Sequence, residues 1–172
     1  MHPVTVRRAT TRDVVGIQEL IRPYVEANIL LGKDLVVLYE AVQEFRVAVA
    51  PDGELLGCGA LHVLWKDLGE IRTIATTGAH RGLGVGHALI EQLKRDAIEL
   101  GLERLFCLTF ETAFFARHGF VAVEEQLVDE ATYLELLRSP DVGVHEFLDL
   151  PWVKPNTLGN TRMICELRPR EA

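Results

Sequence analysis

The chain has 172 residues, of which 48% are hydrophobic, and it carries a formal net charge of −7 at pH 7. This length and composition are typical of one compact domain with a buried core, and they argue against a disordered chain. The acidic balance disfavours a nucleic-acid-binding groove, and no apolar run approaches the roughly 18 residues of a membrane span. Three scattered cysteines and an N-terminus without a signal-peptide pattern are what we expect of a cytoplasmic protein.

The chain opens with a strand pattern followed by two helix patterns. Val4 to Arg8 predicts a short strand, and Thr10 to Asp13 is typical of a capped helix start. Apolar residues at three- and four-residue spacing then predict a helix with one buried face, formed by Val14, Ile17, Ile21 and Val25. We expect a second helix from Asp34 to Glu44.

The middle of the chain predicts three strands and a long helix. The Asp52-Gly53 hairpin signal indicates that Phe45 to Ala50 pairs antiparallel with Leu55 to Leu64. Gly69 to Thr76 follows as the fourth strand. Val85 to Leu100 carries a helical apolar stripe and is followed by Gly101, a typical helix stop.

The last third of the chain predicts shorter elements. Leu105 to Thr109 is expected to be a buried strand, Thr112 to Arg117 a short helix, and Phe120 to Val123 a further strand. Thr161 to Leu167 is expected to be the last strand. Pro140 to Gly159 is rich in proline, glycine, aspartate and asparagine, and we expect it to be irregular.

A glycine-rich loop joins the fourth strand to the long helix. Its sequence is Arg81-Gly82-Leu83-Gly84-Val85-Gly86-His87. Glycines let the backbone approach an anion closely and adopt positive φ, while the free N–H groups and the dipole of a helix start favour negative charge. The loop therefore predicts a phosphate-binding site, the alternative being an ordinary glycine-rich turn.

Two common phosphate motifs do not fit this loop. A dinucleotide fingerprint requires a third glycine where His87 stands, and a P-loop requires lysine and a hydroxyl residue after its last glycine. What remains is Arg81-x-x-Gly84-x-Gly86 between a strand and a helix. This pattern resembles the pyrophosphate loop of the GCN5-related N-acetyltransferases, the acetyl-CoA-dependent GNAT superfamily.

The order of predicted elements resembles that superfamily from end to end. The resemblance implies an α/β (α+β) GNAT fold, in which a central mixed, mostly antiparallel sheet is splayed between the fourth and fifth strands and flanked by helices. It also implies acetyl-CoA as the co-substrate, with its pantetheine arm between those strands. The residues expected to bind it are Ile74, Ala75, Thr76, Arg81, Gly82, Leu83, Gly84, Val85, Gly86 and His87.

Several segments resemble, more narrowly, the acetyltransferase domain of N-acetylglutamate synthases. They include Glu19-Leu20-Ile21-Arg22-Pro23, Leu105-Phe106-Cys107-Leu108-Thr109 and Phe115-Ala116-Arg117-His118-Gly119-Phe120. The long synthases carry an amino-acid-kinase-like domain in front of this one. Because the first predicted strand begins at Val4, we expect a single GNAT domain over residues 1–172 without the kinase-like domain, as in a short, stand-alone synthase. The resemblance also implies a homodimer.

The chain departs from these families at three positions. Leu108 stands where many GNAT enzymes carry an asparagine, and Phe115 stands where they carry a tyrosine that protonates the leaving thiolate. We therefore do not expect a tyrosine to act as the general acid. Asn160 stands where the long synthases carry an arginine. The resemblance implies transfer of acetyl to the α-amine of L-glutamate, as the first step of arginine biosynthesis. Asn160 extends the expected substrates to L-glutamine, because its amide can both donate and accept hydrogen bonds with a glutamine carboxamide.

Acetyl transfer to an α-amine requires a base, because that amine is mostly protonated at pH 7. By resemblance, Glu70 is expected to be this base, and burial in an apolar cleft would raise its pKa to a useful range. Thr109 is placed like the hydroxyl residue that stabilises the leaving thiolate in the synthases. The structural alternatives are a surface carboxylate at a strand end for Glu70 and an ordinary strand residue for Thr109.

A dicarboxylate substrate also requires cations. The residues expected to bind it are Lys33, Arg72, Asn160, Thr161 and Arg162, each of which is alone also compatible with an ordinary surface position. We expect no metal, because His62, His80, His118 and His145 lack metal-ligand spacing and the sequence shows no second ligand for them. Two alternatives stay open, namely an acetyltransferase for another amine (a peptide N-terminus, lysine or a small molecule) and a non-catalytic acetyl-CoA sensor.

Overall fold

The computed structural model describes residues 4–153 and 159–167. Its seven strands are β1 (Thr5–Arg8), β2 (Phe45–Val49), β3 (Leu55–Val63), β4 (Leu68–Thr76), β5 (Arg104–Thr109), β6 (Val121–Ala122) and β7 (Thr161–Glu166). Its helices are α1 (Val14–Glu26), α2 (Leu35–Glu40), α3 (Val85–Glu99), α4 (Thr112–Ala116), α5 (Glu130–Leu136) and α6 (Val142–Phe147). No helix in this part of the chain is long and apolar enough to cross a membrane.

The strands form one mixed sheet in the order β1-β2-β3-β4-β5-β7-β6. The β4–β5 pair is parallel, whereas the other neighbouring strands pair antiparallel. Parallel pairing stops early, because its last partners are Glu70 and Phe106 although both strands continue. The predicted fold class, including the splay between the fourth and fifth strands, is therefore confirmed.

Helices cover both faces of the sheet, as alternating strand side chains require. Leu89 and Leu93 of α3 are fully buried, and α3 packs on β2, β3 and β4. On the opposite face, Ile17 and Ile21 of α1 join Val47, Cys58 and Ala60 in one core cluster. Phe147 of α6 packs on the same face against Phe106 of β5, with the ring centroids 4.8 Å apart.

An irregularity in β4 changes its register against β3. Cys58 pairs with Ala75 and Ala60 pairs with Arg72, so that one residue of β3 lies opposite two residues of β4. Thr73, one of those two, has φ +57°, a conformation that branched residues rarely adopt. The Cys58 thiol donates to the Thr73 carbonyl oxygen at 3.5 Å. Glu70 and Arg72 lie before the bulge, Thr73 and Ile74 form it, and Ala75 and Thr76 follow it.

Two expectations about the helices were wrong. The predicted second helix is shorter than Asp34 to Glu44, since α2 ends at Glu40 and a separate 3-10 turn spans Val42–Glu44. The stretch Pro140 to Gly159 is not irregular throughout, because residues 142–147 form α6, while residues 154–158 lie outside the described part of the chain. Helix α6 forms because the Asp141 side chain caps it by accepting the Val144 N–H at 2.9 Å, and because Val144 and Phe147 are buried.

Candidate functional site

A cavity of about 650 Å³ opens where β4 and β5 separate. One wall is the second half of β4, and the other consists of residues that end or follow β5, including Thr109, Phe110 and Phe114. The glycine loop and the start of α3 close one end. The splayed strands thus leave an opening in the sheet large enough for an extended ligand arm, since ligand cavities are typically of about 300–1,000 Å³.

The glycine loop has the backbone geometry of an anion cradle. Gly82 has φ +85° and Gly84, the N-cap of α3, has φ +80°. A Cβ atom on either residue would meet no atom within 4 Å, so both face open space. Six predicted cofactor residues of the loop line the large cavity, namely Arg81, Gly82, Gly84, Val85, Gly86 and His87, whereas Leu83 is 64% exposed and is not among the lining residues.

The β4 wall presents the other predicted cofactor residues. Ile74, Ala75 and Thr76 all line the cavity. The Thr76 carbonyl accepts a hydrogen bond from the Tyr24 hydroxyl at 2.6 Å. Because a carbonyl oxygen has two lone pairs, Thr76 keeps capacity for a ligand donor. Tyr24 belongs to α1, and the sequence analysis did not identify it as a cavity residue.

Thr109 lies at the end of β5, on the wall of the large cavity. It is buried, and its hydroxyl oxygen accepts the Glu111 N–H at 2.8 Å. That bond orients the hydroxyl group and leaves its proton available for donation. The position suits a group that donates to a ligand sulfur or oxygen, although Thr109 also serves the turn after β5.

A second cavity, of about 50 Å³, adjoins the first, and both are lined by Ile71, Arg72, Thr73 and Leu108. Its polar lining includes Lys33, Glu70, Glu146 and Asn160. The fold therefore brings together four residues that the sequence analysis assigned to catalysis or substrate binding, namely Lys33, Glu70, Arg72 and Asn160. Thr161 and Arg162 are not among the lining residues of either cavity.

Glu70 and Arg72 form a buried ion pair in the small cavity. The Arg72 Nε and Nη2 groups donate to Oε2 of Glu70 at 3.0 and 2.6 Å, and the Nη1 group donates to both oxygens of Asp141 at 3.0 Å. Burial raises the pKa of Glu70, and the charge and hydrogen bonds of Arg72 oppose this shift without cancelling it. Glu70 is only 5% exposed, so a raised pKa has a clear physical cause.

The pKa of Asp141 is shifted in the opposite direction from that of Glu70. Burial alone would raise its pKa, but the hydrogen bonds and charge of Arg72, together with the Val144 N–H, lower the pKa of Asp141 to about 2. Gly143 allows this arrangement, because a Cβ atom there would lie 2.7 Å from Nη2 of Arg72. One arginine thus connects a carboxyl group of raised pKa on β4 with a carboxylate of lowered pKa at the start of α6.

Lys33 and Asn160 complete the polar lining. Burial, and then the charge of Arg72, lower the pKa of Lys33. The Asn160 amide donates to Oε1 of Glu146 at 2.9 Å. The small cavity therefore combines two cations, the carboxyl groups of Glu70 and Glu146, and an amide, which is a lining suited to a small zwitterion rather than to an apolar molecule.

Arg162 is held away from this lining. Its Nη1 group donates to the Phe147 carbonyl at 2.9 Å, and its guanidinium carbon lies 5.1 Å from the centre of the Phe106 ring. Burial lowers the pKa of Arg162. In this structure Arg162 joins β7 to α6, and its role toward a substrate stays a prediction.

Sequence reasoning missed Asp141, Gly143 and Glu146, which all reach the site because of α6. Ser139-Pro140-Asp141 is a helix-start pattern that could have indicated α6. The proline and Gly143 instead favoured the prediction of an irregular segment. It also missed that Glu91 and His87 lie beside His118, whose Nδ1 is 3.2 Å from Oε1 of Glu91. No sequence spacing connects residues 91 and 118, because the fold alone makes them neighbours.

Comparisons with known proteins agree with this geometry. Residues 17–120 match the model of the acetyltransferase (GNAT) family. The chain is 57% identical over 164 residues to an amino-acid acetyltransferase of Mycobacterium tuberculosis, which covers 94% of each chain. It is also 38% identical over 117 residues to an amino-acid acetyltransferase of Azotobacter vinelandii, where the match covers 67% of this chain and 27% of that protein.

Solved structures give the same result. A Mycobacterium tuberculosis protein in complex with CoA superposes with a TM-score of 0.92 at 56% identity, covering 95% of this chain and 99% of that one. N-acetylglutamate synthase from Neisseria gonorrhoeae, complexed with coenzyme A and N-acetyl-glutamate, gives a TM-score of 0.76 at 26% identity and covers 98% of this chain but 36% of that one. The glycine loop, the splayed strands and these matches together show that the chain is an acetyltransferase and belongs to the GNAT family.

Proposed function

We propose that this protein transfers the acetyl group of acetyl-CoA to the α-amine of a free amino acid, L-glutamate or L-glutamine. The main support for this proposal is that the large cavity at the splay adjoins a small cavity containing a buried carboxyl group and two cations. The first has the size and the glycine loop for CoA, and the second has the charges for an amino acid. The names of the Mycobacterium relative and of the Neisseria neighbour support the same substrate class.

In this proposal Glu70 is the base. Its Oε2 is engaged by Arg72, and Oε1 takes the proton from the α-ammonium group, directly or through water. The neutral amine then attacks the thioester carbonyl carbon, a C–N bond forms, and the C–S bond breaks. The nitrogen then gives up a second proton, which passes to the departing sulfur directly or through water, so that CoA leaves as the thiol, with Thr109 donating a hydrogen bond to the sulfur. The raised pKa of Glu70 suits this role, because a base works best when its pKa is near the working pH.

A free amino acid fits the small cavity better than a peptide does. The cavity is small, about 50 Å³, and its lining combines charged with apolar side chains, whereas a peptide N-terminus or a lysine side chain on a protein requires an open groove for the rest of its chain. Lys33 is the cation that we assign to the substrate α-carboxylate. Asn160, held by Glu146, is the group that we assign to the side chain of the substrate.

The function is tested by incubating the protein with acetyl-CoA and each of the twenty amino acids singly, and by following thiol release. We expect release above background with glutamate and glutamine and with few others. Release only with peptides or with lysine would replace this proposal by an acetyltransferase for another amine. CoA binding without release for any amine tried would instead indicate an acetyl-CoA sensor.

We further propose a cytoplasmic location, since the three cysteines are free and buried.

A further inference from the structure

Three side chains that commonly bind metals lie together beside the large cavity, which His87 and His118 line. His87 and Glu91 belong to α3, and His118 follows α4. Their ligand atoms all lie within 4.8 Å of one another. Nδ1 of His118 and Oε1 of Glu91 are 3.2 Å apart, and the rings of His87 and His118 have centroids 5.0 Å apart.

The backbone fixes the positions of all three residues. His87 and Glu91 are four residues apart, which places them on the same face of a helix of 15 residues. His118 is held by both of its backbone groups, since its N–H donates to the Phe115 carbonyl at 2.9 Å and its carbonyl accepts from Lys94 at 3.0 Å. Its side chain is 5% exposed, whereas His87 is exposed and forms the entrance.

We propose that His87, Glu91 and His118 bind a divalent first-row transition-metal ion, with Zn²⁺ as the best match. Two imidazoles and one carboxylate are a common donor set for such ions. Two ligands of one Zn²⁺ ion lie at most about 4 Å apart, because each bond is about 2 Å long. The His118–Glu91 pair already meets this limit, and because all three ligand atoms lie within 4.8 Å of one another, the proposal requires only a small rotation of the exposed His87 side chain.

The proposed ion is a structural ligand and not part of acetyl transfer. The three residues come from α3 and from the segment after α4, so one ion would join these two elements across the cavity wall. Glu70, the proposed base, lines the other cavity. A ligand that binds only the folded state raises the unfolding temperature, and the stabilisation grows with the logarithm of the ligand concentration divided by its Kd once the concentration exceeds Kd. The inference therefore has a consequence for stability that does not depend on the proposed function.

The test uses the full chain, free of any affinity tag and stripped of metal. Calorimetric titration with Zn²⁺ should show one ion per chain, and added Zn²⁺ should raise the unfolding temperature. His87→Asn and Glu91→Gln should each weaken Zn²⁺ binding at least tenfold. Both positions are accessible enough for the protein to fold without them, unlike the buried His118.

The matched control is His62→Asn. His62 also contacts a glutamate, with Nδ1 2.7 Å from Oε1 of Glu44, but this pair is not part of a three-ligand group among the described residues. Unchanged Zn²⁺ affinity in the control, with the losses above, supports the site. Unchanged affinity in both His87→Asn and Glu91→Gln, or no Zn²⁺ binding by the wild type, would overturn it.

Discussion

Arg72 divides its hydrogen bonds between Glu70 and Asp141, and this division limits what it can do for a substrate. Two of its nitrogens donate to Glu70 and the third donates to both oxygens of Asp141. All three nitrogens of the guanidinium therefore donate hydrogen bonds inside the protein. We expect Arg72 to position Glu70 and to moderate its pKa, with Lys33 as the cation nearest to the substrate.

Replacing the proposed base should slow the chemical step. Glu70→Gln keeps the shape of the side chain but cannot accept the amine proton, so we expect kcat to fall on the order of 10²-fold, with CoA affinity largely kept. The defect should shrink at alkaline pH, where the amine loses its proton without help. The control is Glu99→Gln at the exposed end of α3, and a Glu70→Gln enzyme as active as the wild type near neutral pH would exclude this role.

Removing the cation beside the base should change the pH dependence of the reaction. Because the charge of Arg72 lowers the pKa of Glu70, Arg72→Gln should raise that pKa further. The base is then ionised only at higher pH, so the acidic limb of the kcat profile should move to higher pH and activity should fall most in mild acid. A larger KM for the amino acid with an unmoved limb would instead assign Arg72 to substrate binding.

The choice between glutamate and glutamine should depend on the Glu146–Asn160 pair. Glu146 adds negative charge to the small cavity, which favours a neutral carboxamide over a carboxylate. We expect the wild type to use both substrates, and we expect Glu146→Gln and Asn160→Arg each to shift the kcat/KM ratio toward glutamate by about tenfold or more. Glu146→Gln keeps an oxygen that accepts the Asn160 bond, so it tests charge alone. Strict glutamate specificity in the wild type would contradict the argument.

Among the elements, the glycine loop carries the clearest requirement for a residue type. A valine at position 84 would combine an unfavourable positive φ with side-chain atoms in the space proposed for the pyrophosphate. We expect Gly84→Val to abolish measurable CoA binding in calorimetry. Gly53→Val is the control, because Gly53 also has positive φ and open space around it but lies in the β2–β3 hairpin. Unchanged CoA affinity in a folded Gly84→Val protein would show that the loop is not the phosphate site.

The sequence predicted the elements whose signals are local. The hairpin, α3 and the glycine loop were predicted because turn residues, periodicity and caps act within a few neighbouring residues. Helices α5 and α6 were not, since they are stabilised by tertiary packing of Leu136, Val144 and Phe147. Glu70, the proposed base, could be named from the resemblance and Lys33 from the need for a cation to bind the substrate, whereas Asp141 and Glu146 required knowledge of where α6 lies.

At the scale of the whole molecule, the ion pair between Arg72 and Asp141 connects the central sheet to α6. Its contribution to stability depends on pH, because the pKa of Asp141 in the folded protein, about 2, is lower than its ordinary value. A lowered pKa stabilises the folded state above the ordinary carboxyl pKa, and this contribution is lost as the pH falls toward 2.

Asp141→Asn isolates this contribution. Asparagine still caps α6 but cannot form the ion pair, so the unfolding temperature should fall at neutral pH, and the gap from the wild type should close as the pH falls from about 4 to about 2. Asp129→Asn is the matched control, because Asp129 caps α5 from an exposed position. A gap that is the same at every pH would show that the cap, and not the charge, accounts for the loss.

The bulge at Thr73 has a consequence for how this protein tolerates changes in chain length. Side chains alternate between the two faces of a strand, so the extra residue decides which face each later residue of β4 occupies. Deleting it would turn the side chains of Ala75 and Thr76 over, so that each would point to the opposite face of the sheet. The length of β4 is therefore under a stricter constraint than the identity of most of its residues. An insertion or deletion there would move every later side chain of the strand to the opposite face of the sheet.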